Sequence, residues 1–364
     1  MADYVAARIL PARLVSLTII TLLASSLLSG CGEQSVAALA PVVAATTGQP
    51  EPPAATNTTA PDILPSPTAV NLPSALDAVA FNNRGLDLYN MGDYDRAIGQ
   101  YNQAIALRPD FARAYNNRGL ALLDKGDPDA ALSDLSKAIA LDPGLAVAYS
   151  NRGLAFTYKG SYTRALVDEN RAVALDPSDE LAYNNRGFSY YSKGDYARAL
   201  ADYDRAIKLK PADPRPYNNR GLVYYRQQDY RSALSEYNRA IKLNPKFASA
   251  YNNRGLVLYA EGKYAAAVED YGKATALKPG DSLAYYNRGR AYHDMGDYSA
   301  AVDDFTQAIF LKPGYAKAYY SRALALLVTG NREAAVADLK KVLTLDDTTL
   351  HQLANEKLQD LGGT

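Results

Sequence analysis

Tryptophan is absent from this 364-residue chain, and it holds only one Cys, two His and three Met. A single cysteine, Cys31, excludes an internal disulfide. His293 and His351 stand in no metal-ligand spacing, so no metal centre is expected. Neither sign of charge prevails: 39 basic residues face 39 acidic ones. A general nucleic-acid binder needs a basic stripe to neutralise phosphates, so nucleic acid is not an expected partner. No glycine-rich phosphate loop and no nucleophile elbow occurs, and too little chain follows Asp347 for a catalytic domain. The expectation is a protein without enzymatic activity and without a cofactor.

The apolar run over residues 14–28 falls short of the roughly 20 residues a membrane-spanning helix needs. It follows Arg8 and Arg13 and has the length of a secretory signal's apolar region. It ends Leu28-Ser29-Gly30-Cys31. This ending resembles the bacterial lipobox, in which a branched apolar residue and two small ones precede a cysteine. The resemblance implies removal of residues 1–30, a diacylglyceryl group on the Cys31 thiol, and usually an acylated new amino terminus. It implies a lipid-anchored protein of the bacterial envelope. Gly32 in place of Asp favours the periplasmic face of the outer membrane. Between Gly32 and Pro73 stand eight prolines and no basic residue. Such a stretch buries too little apolar surface to offset chain entropy, so residues 31–73 are predicted to be a disordered tether.

What the chain has in abundance is repetition. Asn82-Asn83-Arg84-Gly85 returns as Asn116-Asn117-Arg118-Gly119 and again at Asn184, Asn218 and Asn252, with degenerate copies at Ser150, Tyr286 and Tyr320. The period is 34 residues without insertion. A fixed period in this range marks a stacked-repeat solenoid. With Ala78 as position 1, eight units fill residues 78–349. Position 4 is aromatic throughout, position 8 is Gly in seven units and position 20 is Ala in all eight. Positions 4, 8 and 11 share a helical face. Small residues at 8 and 20 allow two helices to approach, and aromatics at 24 fill the remaining space. Gly-Asp at 15–16 closes one helix and caps the next. Proline at 32 stops the second helix.

This signature resembles the tetratricopeptide repeat family. The resemblance implies an all-α, right-handed superhelical α-solenoid of eight helix-turn-helix units over residues 74–349, first helices lining a concave surface. Residues 350–364, with Leu350, Leu353, Leu358 and Leu361 on one stripe, are predicted to be a capping helix and tail. Departures from the family pattern include Glu169 for the aromatic at 24, Gln228 for the Gly at 15 and Pro128 for the Tyr at 17.

Two polar rows run through the repeats. Position 7 is always Arg, and position 23 is acidic in seven units. The expected ion-pair ladder joins Arg118, Arg152, Arg186, Arg220, Arg254 and Arg288 to Asp134, Asp168, Asp202, Glu236, Asp270 and Asp304, within one unit or across to the preceding one. Position 6 carries Asn83, Asn117, Asn151, Asn185, Asn219, Asn253 and Asn287, on the side that the family resemblance makes concave. Amides offer donors and an acceptor. They therefore either hold a peptide backbone or bond between neighbouring helices. Leu222 and Leu256 at position 9, with Tyr191, Tyr225 and Tyr259 at position 12, complete a candidate peptide groove in units four to six.

The expected function is a non-enzymatic scaffold or adaptor in the cell envelope, holding protein or extended-peptide ligands in this groove. The alternative is a structural, pilot-type component of a secretion, pilus or polysaccharide-export complex. The sequence leaves oligomeric state open.

Overall fold

The computed structural model describes residues 75–362, with side-chain burial given from Asp77 onward. The signal segment, Cys31 and the tether lie outside the described residues. Helices and short turns are the regular structure among the described residues. The first four units contain α1 (Ala75–Asn90), α2 (Tyr94–Leu107), α3 (Ala112–Lys125), α4 (Pro128–Leu141), α5 (Ala146–Tyr158), α6 (Tyr162–Leu175), α7 (Glu180–Lys193) and α8 (Tyr196–Leu209). The next four contain α9 (Pro214–Arg226), α10 (Tyr230–Leu243), α11 (Ala248–Ala260), α12 (Tyr264–Leu277), α13 (Ser282–Met295), α14 (Tyr298–Leu311), α15 (Ala316–Val328) and α16 (Arg332–Val342). A final helix, α17 (Thr348–Asp360), follows the last unit and buries Leu350, Ala354 and Leu358.

The turns follow from residue chemistry. Asp93, Asp127, Asp195, Asp229 and Asp297 each accept a bond from a backbone N–H of the second helix they precede. That satisfies one of the donors a helix start leaves open. The preceding residue adopts a left-handed conformation, normally supplied by glycine. In unit five Gln228 takes it instead, at φ 61°. The fold therefore retains this turn even where its preferred residue is missing.

Within each unit the two helices meet through position 8. A Cβ on Gly187, Gly221 or Gly255 would lie 2.7 Å from the ring of Tyr203, Tyr237 or Tyr271. Glycine at these places is required by that approach. These rings are almost fully buried, as are Ala199, Ala233 and Ala267 at position 20. Each second helix also packs on the first helix of the next unit, and first helices of successive units touch one another. Among the described residues, no pair of second helices touches to the extent that successive first helices do. The first helices therefore line the inner side of a superhelical solenoid. Direct contact between first helices is most extensive between α5 and α7.

Candidate functional site

The Arg row sits beside the helix–helix seam. In units two to four, six and seven, the Arg Nε and one terminal nitrogen grip the acid at position 23 of the same unit. These paired bonds span 2.6–2.8 Å. Arg322 and Asp338 repeat the arrangement in unit eight. The other terminal nitrogen reaches back one unit, as in Arg254 to Asn238 at 2.6 Å. Each such arginine thus ties its own two helices together and fastens its unit to the one before. Hydrogen bonding to the carboxylate pushes the guanidinium pKa still higher, burial opposing it. Glu236 is the exception: its extra methylene brings both carboxylate oxygens to one nitrogen of Arg220, and Arg220 Nε has no partner. In unit one position 23 is Gln100 and not an acid, and Arg84 lies over the Phe81 ring at 4.3 Å.

The Asn row does not project freely into the groove. Asn151, Asn185, Asn219, Asn253 and Asn287 are buried, Asn117 is half-buried, and Asn83 is exposed at the first unit. From unit two to unit seven, the position-6 amide donates to position 5 of the preceding unit. Asn117 bonds to Asn82, Asn151 to Asn116, Asn219 to Asn184, Asn253 to Asn218 and Asn287 to Asn252, at 2.9–3.0 Å. Position 5 donates back to position 6 within its own unit, as in Asn218 to Asn219 at 3.2 Å. The result is a line of amides crossing successive unit boundaries. Of the two alternatives for this row, peptide contact or bonds between neighbouring helices, these bonds are of the second kind: adjacent first helices approach closely enough to engage the amides with one another. Where Ser150 replaces Asn at position 5, Asn185 bonds to the Ser150 hydroxyl instead. Asn151 Oδ1 then has no donor and stays without a partner.

The apolar row is also drawn inward. Leu222 is buried, as is Phe188, while Leu256 is half-buried. Leu222 therefore contributes to packing more than to an open surface. The tyrosine row stays closer to solvent: Tyr191 is buried, but Tyr225 and Tyr259 are half-buried. The hydroxyls of Tyr191 and Tyr259 join a second line of contacts between units. Arg226 donates to the Tyr191 hydroxyl at 3.0 Å, and the Tyr259 hydroxyl bonds to Asp294. Tyr89 bonds to Asp124 in the same relation near the start. Arg290 donates to the Tyr259 hydroxyl at 3.1 Å and lies over its ring. His293 Nδ1 stands 3.1 Å from Asp294. Burial would raise the Asp294 pKa, but bonds with His293 and Tyr259 outweigh it and hold it below the ordinary carboxylate value.

Arg226, Arg290 and Asp294 are groove residues that the motif pattern did not single out as a group. For Arg226 and Asp294 the signal was available in the 35-residue offset between position 12 of one unit and position 13 of the next; Arg290, at position 9, lies 31 residues from Tyr259. The inner surface over units five to seven is therefore aromatic and charged, with Tyr225, Tyr259, Arg226, Arg290, His293 and Asp294 at its surface. Such a surface can stack on, hydrogen-bond and charge-pair with a polypeptide. Among the described residues, no group of His, Cys, Asp and Glu could hold a metal ion, and no helix is long and apolar enough to cross a membrane.

Glu169 forms a separate polar centre between units three and four. It is fully buried where other units place an aromatic, packed so closely that a Cβ on Gly153 would lie 2.5 Å from its Cγ. Ser189 donates to Oε1 at 2.7 Å and lies 2.6 Å from Thr157, while Oε2 has no partner. Burial drives the Glu169 pKa well above its ordinary value. The Ser189 bond and Arg186 oppose that rise, while Asp202 and Asp168 add to it.

Four family models described as TPR or tetratricopeptide repeats match the chain. They cover residues 82–146 and 218–282, 153–194 and 189–228, 282–315, and 316–349. The chain belongs to the tetratricopeptide-repeat family. No curated protein sequence matches it. Among solved structures, the APC/C hetero-tetramer Cut9–Hcn1 superposes with a TM-score of 0.61 at 18% identity. That match covers 76% of this chain and 55% of the other, so this chain spans just over half the length of that neighbour. A tetratricopeptide repeat protein from Parabacteroides merdae has a TM-score of 0.49 at 22% identity, covering 67% of this chain and 97% of its own. Pseudomonas aeruginosa PilF has a TM-score of 0.46 at 24% identity, covering 57% and 94% respectively.

Two predictions follow from this geometry. Arg254→Ala leaves the Asp270 carboxylate without its paired cation in a site where its side chain is only 5% exposed. Chemical denaturation is expected to show a loss of about 3 kcal/mol, largely restored in Arg254→Met/Asp270→Leu. Glu169 has the opposite sensitivity to a surface carboxylate. Its folded pKa lies above its ordinary value of 4.5, so the unfolded chain releases the proton first as pH rises. The stability it contributes is complete below that value and is lost as pH rises through the folded pKa. Thermal melts should show the wild type losing stability relative to Glu169→Gln as pH rises above the ordinary carboxylate value of 4.5. Parallel curves would contradict this assignment.

Proposed function

We propose that this tetratricopeptide-repeat protein is a non-enzymatic adaptor that binds an extended segment of a partner protein along its first helices. The fold is in general a scaffold for protein–protein interaction. The observation that carries the reading is the continuous inner face in which Tyr225, Tyr259, Arg226, Arg290 and His293 stay near the surface. Beneath them the amide line holds adjacent units in register. An extended peptide can cross several such units and exchange solvent contacts for aromatic and charged ones. The amides of Asn185, Asn219 and Asn253 act here through the wall they build.

The reading includes a lipid anchor on Cys31 and a place at the bacterial cell envelope, with the periplasmic face of the outer membrane favoured. Its support is the run into Leu28-Ser29-Gly30-Cys31, followed by the proline-rich stretch before the first repeat. Several acyl chains anchor stably where one does not, because each buried CH₂ contributes about 0.8 kcal/mol.

The experiment is affinity capture from envelope extracts with the full chain and with Tyr225→Ala/Tyr259→Ala/Arg290→Ala. The groove reading predicts loss of specifically retained proteins in the triple variant while the helical melt persists. Equal retention contradicts it. Metabolic labelling with fatty acid should mark the wild type and leave Cys31→Ser unmarked; label on both contradicts the anchor.

A further inference from the structure

A chain of zero net charge conceals a strong local imbalance. Unit five, residues 214–247, carries seven bases against two acids, Asp229 and Glu236. Counted the same way, no other unit departs from balance by more than one charge. Both acids of unit five are engaged: Asp229 accepts at the start of α10 and Glu236 is gripped by Arg220. The uncompensated bases appear on the outer side. Arg239 and Lys242 lie one turn apart on α10, and Arg205 and Lys208 occupy the same repeat positions on α8. All four are exposed, and none forms an ion pair with a described residue. The neighbouring position 22 brings no negative charge, being Ala201 in one unit and Ser235 in the next. Asp204, the acid beside Arg205, is already paired to Arg220 at 2.5 Å.

The two arginines are held in matching poses. Arg205 stands over the Tyr183 ring at 5.6 Å, and Arg239 over the Tyr217 ring at 5.8 Å. Restraining a guanidinium against an aromatic face lowers the ordering cost of engaging a carboxylate.

We propose that this outer ridge of units four and five is a docking site for a short acidic segment of a partner protein, separate from the inner groove. Its spacing suits carboxylates placed about one helical turn apart, each able to meet an Arg or Lys. Its size favours a peptide over a bilayer. Among the described residues, the large apolar side chains classed as exposed all lie outside units four and five, so the ridge offers no apolar group to insert into lipid. The solenoid can thus hold one polypeptide on its inner face and a second on its outer face.

The test uses the full chain and a labelled oligo-glutamate peptide, followed by fluorescence anisotropy at low and high salt. Binding should weaken with salt, and Arg205→Glu/Lys208→Glu/Arg239→Glu/Lys242→Glu should weaken it by about tenfold or more. Charge reversal at the same repeat position elsewhere, Lys137→Glu/Arg171→Glu, should leave it near wild type. Tyr225→Ala/Tyr259→Ala should also retain it, which separates this ridge from the groove. Absent binding by the wild type, or equal loss in both charge-reversed variants, overturns the proposal. So does tighter, ridge-dependent binding to vesicles of phosphatidylglycerol and phosphatidylcholine in equal parts, which would assign the ridge to a membrane surface.

Discussion

No single helix pair of this protein can cover its own apolar faces, and everything else depends on stacking the pairs in one register. The contact that sets the register is small. Gly187, Gly221 and Gly255 leave room for the rings of Tyr203, Tyr237 and Tyr271, and those rings fill the space between the helices. A side chain at either glycine-side position would force ring or helix to move. Once the helices meet there, position 7 necessarily falls beside position 23, and the Arg–carboxylate grip closes the seam. Position 6 then falls beside position 5 of the previous unit, and the amides meet. Three rows that look independent in the sequence are consequences of one packing register.

That dependence alters where recognition can reside. Amides already bonded to each other and buried have little left to offer a ligand, whereas they resist sliding of one unit past the next. In the proposed function, binding chemistry passes to the side chains one and two turns further along the first helices, among them Tyr225, Tyr259, Arg226 and Arg290. The same register also arranges the outer surface. Because Arg205 and Arg239 occupy equivalent positions, a local excess of basic residues becomes an ordered ridge instead of scattered charge.

Most of the fold was legible because the signals repeat: glycine and aromatic at fixed places, Asp before five of the eight second helices, Pro after seven of them. Even Gln228 could be located as an irregularity, though only the backbone reveals that it retains the left-handed turn. The side of a helix on which Asn219 lies was also legible. Its distance from the neighbouring helix was not, because that depends on how far two first helices are drawn together by packing elsewhere. The same limit hid the burial of Leu222 and the role of Arg290. Glu169 was visible as a departure at an aromatic position, but its Ser189 partner belongs to the next unit and emerges only from the stacking.

The most direct measurement is a double-mutant cycle on Asn184 and Asn219, which bond across a unit boundary at 3.0 Å. If the amide line couples units, denaturation of Asn184→Ala, Asn219→Ala and the double variant should give a coupling of about 1 kcal/mol. Strict additivity, with each variant losing only helix-surface stability, would contradict a structural amide line and return these side chains to the open groove.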